Sequence, residues 1–81
     1  MNAKVILFSI LKDKVGASEI SLELPENAKA SELIDLIVAS YPAVSSIKHL
    51  LKVSVNQDFA EPNQTIPAGA EIAVFPPVSG G

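Results

Sequence analysis

The spacing of hydrophobic and polar positions changes repeatedly along the chain, and each change predicts an element. Residues 3–9 read AKVILFS, a nearly unbroken apolar and β-branched run. Such a run predicts a central strand buried on both faces. Ile10, Leu11 and Val15 allow one helical turn, and Gly16 is a natural stop for it. Residues 19–24 alternate, with Ile20, Leu22 and Leu24 on one face and Glu19, Ser21 and Glu23 on the other. That pattern predicts a half-buried strand, antiparallel to the first because the connection is short. Pro25 ends it, since proline donates no ladder hydrogen bond.

The period then lengthens. Ala30, Leu33, Ile34, Ile37, Val38 and Tyr41 form the single stripe of an amphipathic helix. Its start falls between Lys29 and Ser31. Ser31 carries a capping side chain, and Glu32 and Asp35 suit the positive end of the helix dipole. Pro42 closes the helix. A short helical turn is expected over residues 45–50. Residues 52–57 alternate again, with Val53 and Val55 inward, and Asn56, Gln57 and Asp58 form a turn. Phe59 and Ala60 pair briefly. Pro67, Ala68 and Gly69 make a tight turn, and residues 71–75 supply the last strand. The order β-β-α-β-β predicts an α+β fold, a mixed sheet with one main helix on one face. No repeat or linker divides it. The expected organisation is a domain over residues 1–75 and an extended tail over 76–81.

One helix covers one face of a sheet, so the other face is left open. In the last strand Ile72 and Val74 share one face, and Ala73 and Phe75 share the other. If the first pair meets the helix, Phe75 is exposed beside the tail, where it could anchor a partner. The alternative places Phe75 in a small cluster with Phe8 or Phe59.

Composition narrows the function. The 81 residues suffice for one domain with a thin core, and 48% hydrophobic content argues against disorder. The net charge is −3, there is no arginine, and the six lysines are scattered. That is a poor footprint for nucleic acid. No segment is long enough to span a membrane, and the N-terminal apolar run lacks a cleavage site, so a cytoplasmic protein is expected. The chain has no cysteine. Disulfides, a thiolate nucleophile and cysteine-ligated metal are excluded, and any sulfur handled must ride elsewhere. His49, the one histidine, has no partner pattern around it. The carboxylates show no metal spacing, and no glycine-rich phosphate loop is present. No catalytic constellation emerges, and no metal is expected.

The terminus remains. The last six residues are Pro76, Pro77, Val78, Ser79, Gly80 and Gly81. The prolines hold φ near −65° and keep the chain extended. Two glycines without Cβ can enter a channel too narrow for other residues. Six extended residues reach about 20 Å, enough to enter another protein's active site. Val78 offers a grip along the way. The Gly81 carboxylate is ionised at neutral pH and a poor electrophile, so transfer through it requires activation, for example as an acyl-adenylate.

The ending VFPPVSGG, the turn VNQ at residues 55–57 and the opening KVILFSILKDKVGA resemble the small subunit of molybdopterin synthase, the MoaD-type sulfur carriers of the ubiquitin-like β-grasp class. The likeness covers the whole chain, and the Phe-Pro-Pro-Val-Ser-Gly-Gly ending is its specific part. Relatives sharing the Gly-Gly end include the thiamine-pathway carrier of the ThiS type and ubiquitin-related modifiers. The resemblance implies that a MoeB-type enzyme adenylates Gly81 with ATP and that sulfur from a persulfide donor replaces AMP. The resulting thiocarboxylate enters a MoaE-type large subunit within a heterotetramer. There it gives sulfur to the cyclic pyranopterin precursor, and the catalytic side chains belong to the large subunit. No cofactor is held permanently. A carrier for thiamine or another sulfur pathway, or a protein modifier joined through Gly81, is the alternative.

Overall fold

The computed structural model describes residues 1–76. Five strands form one sheet: β1 (Asn2–Leu7), β2 (Glu19–Glu23), β3 (Lys52–Val55), β4 (Asp58–Ala60) and β5 (Ile72–Phe75). Their spatial order is β2-β1-β5-β3-β4. The pair β1–β5 is parallel and the other three pairings are antiparallel. The mixed sheet, with the helices α1 (Ser9–Val15) and α2 (Ala30–Ser40), is the ubiquitin-like β-grasp arrangement that the resemblance implies. A 3₁₀ segment, Pro42–Leu50, follows α2 and includes the turn expected over residues 45–50.

The turns follow from local chemistry. Gly16 ends α1 with φ 87°, a left-handed value that glycine adopts without strain. Asn56 and Gln57, at φ 52° and 73°, make the two-residue hairpin turn between β3 and β4. Two successive left-handed residues match the twist of the flanking strands. The Asn56 side chain accepts from the Glu71 N–H at 2.9 Å, tying this turn to the start of β5.

Two expectations are corrected. β1 is buried on one face only: Ala3, Val5 and Leu7 are inward, while Lys4 is exposed and Ile6 half-buried. Its apolar run reflects an open outer face that is itself partly apolar. Ser31 does not cap α2. The cap is Lys29, whose N–H donates to the Glu32 carboxylate at 3.0 Å. The next two N–H groups, of Ala30 and Ser31, donate to the carbonyls of Gln64 and Pro62 at 3.0 and 2.9 Å. The loop after β4 thus satisfies the helix end that a serine side chain otherwise would.

Every helical element contributes to the inner core. Leu11 of α1, Leu33 and Ile37 of α2 and Val44 of the 3₁₀ segment are fully buried with Val5, Ile72 and Val74 of the sheet. No polar or charged residue is buried among the described residues.

Candidate functional site

β5 lies in the interior of the sheet, hydrogen-bonded to β1 and β3, and ends with Phe75 opposite Lys52. A strand held on both sides has little freedom to shift, so the point where the chain leaves the sheet is fixed. Pro76, the last described residue, is buried. The other expected tail residues, Pro77, Val78, Ser79, Gly80 and Gly81, lie outside the described residues.

Ile72 and Val74 face the helices and are buried, as the alternation requires. Phe75 is on the open face, but it is half-buried rather than bare. The ring of Phe59 in β4 lies against it, with centroids 5.7 Å apart and planes tilted by 57°. The register explains the meeting. Phe59 faces Ser54 on β3, and Ser54 faces Ala73 on β5, so both aromatic residues occupy the outer face, on the two strands that flank β3. Phe59 is the more exposed partner, at 75%. The patch expected at Phe75 is therefore an aromatic pair. The sequence signal for Phe59 was the Asn56-Gln57 turn, which sets the hairpin register and with it the face Phe59 occupies.

A cleft of about 940 Å³ opens beside this pair, between α2, the 3₁₀ segment and the ends of β3 and β4. Ile34, Leu51, Val53 and Ala60 supply its apolar lining, and Phe59 and Phe75 border it. Lys48, His49, Lys52 and Glu61 also line it. Lys48 is paired across it with Asp35 at 2.7 Å. His49 is exposed. Among the described residues no three His, Asp or Glu side chains gather as metal ligands do. What this end of the molecule offers is a fixed exit for the chain, an aromatic patch and an apolar cleft.

The profile of the ThiS family matches residues 5–81, and so includes the Gly-Gly end. A molybdopterin synthase sulfur carrier subunit of Caenorhabditis briggsae is 35% identical, over all of this chain and 99% of its own length. One of Chlamydomonas reinhardtii is 31% identical, with both chains covered in full. Among solved structures, small archaeal modifier protein 1 of Haloferax volcanii superposes with a TM-score of 0.84 at 25% identity, over 95% of this chain and 98% of that one. The β-grasp sheet, the matched profile and the full-length similarity together establish that this chain belongs to the ThiS family, among its MoaD-type sulfur carriers.

Proposed function

We propose that this protein is the sulfur-carrier subunit of molybdopterin synthase, and that Gly81 is its reactive residue. The observation that carries this reading is the full-length similarity to molybdopterin synthase sulfur carrier subunits, which extends through the Gly-Gly end. The chain's own part is to hold and deliver. An adenylating enzyme of the MoeB type attaches AMP to the Gly81 carboxylate, with pyrophosphate leaving ATP. The outer sulfur of a donor persulfide then attacks the acyl carbon and AMP leaves. A second thiol cleaves the S–S bond of the resulting acyl disulfide, releasing the thiocarboxylate and leaving the donor sulfur in a disulfide. The charged tail enters a MoaE-type large subunit, whose side chains catalyse sulfur transfer to the cyclic pyranopterin precursor.

The fold supports each task. β5 fixes the root of the tail between two strands. The Phe59–Phe75 pair provides an apolar anchor next to that root, and exposed aromatic residues of this kind are frequent binding hot spots. Carrying sulfur on a backbone carbonyl carbon requires no cysteine, and the chain has none. These events belong in the cytoplasm, where ATP is available.

The similarity to small archaeal modifier protein 1 favours one second reading, a protein modifier joined to target lysines through Gly81. One experiment separates them. The protein is incubated with its adenylating enzyme, ATP, a persulfide donor and a thiol reductant, and then followed by mass spectrometry. A mass gain equal to one oxygen replaced by sulfur, without conjugates in cell extract, supports the carrier. Conjugates that vanish on changing Gly81 to alanine, with no thiocarboxylate formed, favour the modifier.

A further inference from the structure

The large apolar side chains that stand most exposed are Phe59 at 75%, Phe8 at 50%, Ile10 at 47% and Leu50 at 41%. They come from separate stretches of the sequence, yet all lie at the end of the sheet where β5 stops. Phe8 follows β1, and its N–H donates to the Val74 carbonyl at 3.4 Å. Ile10 is in the first turn of α1, directly after it. Leu50 ends the 3₁₀ segment two residues before Lys52, which faces Phe75. Phe59 lies on Phe75 itself. Elsewhere among the described residues no large apolar side chain is as exposed.

This arrangement has two flanks. Phe59 and Phe75 form one. Ile10 and Leu50 belong to α1 and the 3₁₀ segment, which pack against each other on the helical side. The cleft runs from Phe59 and Phe75 to His49 and Leu51, the chain neighbours of Leu50, although Leu50 and Ile10 themselves do not line it. One exposed cation, Lys52, stands beside the root of the tail, facing Phe75.

We propose that Ile10 and Leu50 are a second docking flank for the large subunit, so that the partner grips the root of the tail from both sides. This rests on the function proposed above. The first flank alone is too small. An aromatic side chain buries about 150–250 Å² and Phe75 is already half covered, whereas a stable interface takes about 800 Å² from each partner. A threaded tail adds area but does not fix the orientation of the body behind it. Delivery of a reactive carbonyl carbon is sensitive to displacements of about 1 Å, so a root held on two sides suits the task. The surface that covers this flank is apolar at its centre, with a carboxylate placed to meet Lys52 at the root of the tail.

The test is titration calorimetry of the full chain with the large subunit from the same organism. Ile10→Gln, Leu50→Gln and the double variant are compared with the parent protein, and thermal melting checks the fold. The expected result is binding about fivefold weaker for each single change and at least tenfold weaker for the pair, with melting unchanged. Lys52→Glu is expected to weaken binding and to reduce its salt dependence. As a readout free of mutation, hydrogen exchange of the parent complex is expected to slow at residues 9–12 and 48–51. Parent-like affinity of the double variant, or unchanged exchange at both segments, overturns the inference while leaving the carrier function standing. Failure of the parent protein to bind the large subunit at all overturns both.

Discussion

Gly16 shows how little space has to do with some sequence choices. A Cβ built on it meets nothing within 4 Å, so only the left-handed backbone, at φ 87°, resists substitution. Gly16→Ala is expected to cost about 1 kcal/mol in urea denaturation, with an unchanged denaturant slope. Phe59 is the opposite case, a large side chain the fold scarcely uses. Phe59→Ala is expected to leave the melting temperature nearly unchanged but to weaken large-subunit binding about tenfold or more, measured by calorimetry. The sequence made Phe75 visible as a surface residue, because strand alternation separates it from Ile72 and Val74. It offered Phe8 and Phe59 alike as partners for Phe75, and the fold selects Phe59. That choice depends on which residues face one another across β3, β4 and β5, and alternation within one strand carries no information about register.

At the scale of elements, periodicity served well wherever one face is buried and the other is polar. β2, β3 and α2 have that contrast, and their inward residues match the stripes in the sequence. β1 lacks it. Its outer face carries Ile6 as well as Lys4, so its sequence reads like a strand buried on both sides. The start of α2 was equally hidden, because its first N–H groups are satisfied by carbonyls more than thirty positions away in the chain. The helix shares one buried core with β5. Ile37 is fully buried in the core, and Ile37→Ala is expected to destabilise the protein by about 2–5 kcal/mol through lost burial and the cavity left behind. Glu32→Ala removes the acceptor of the Lys29 N–H and is expected to cost about 0.5–2 kcal/mol. Both losses are read from denaturation midpoints.

For the whole molecule, the division of labour is between a body that folds and a tail that reacts. Among the described residues, all the fully buried hydrophobic side chains of the core lie before Pro76. Removing residues 77–81 is therefore expected to leave the melting temperature within a few degrees of the parent while abolishing sulfur transfer. Adding one residue after Gly81 is expected to do the same, because the carboxylate to be activated is displaced from the glycine that fits the channel. The Gly-Gly end is read from the sequence alone, since its chemistry is local to the sequence and it lies outside the described residues. The exposed apolar surface around the root was the least legible, since separate segments meet there only in the fold.

The most direct test of the central claim is a single-turnover assay. Protein bearing a thiocarboxylate at Gly81 is mixed with the large subunit and the cyclic pyranopterin precursor, and molybdopterin is measured. The account predicts molybdopterin in proportion to the thiocarboxylate supplied, two carriers consumed per product, and none from the plain carboxylate form. Failure of fully thiocarboxylated protein to yield molybdopterin with an active large subunit would contradict it.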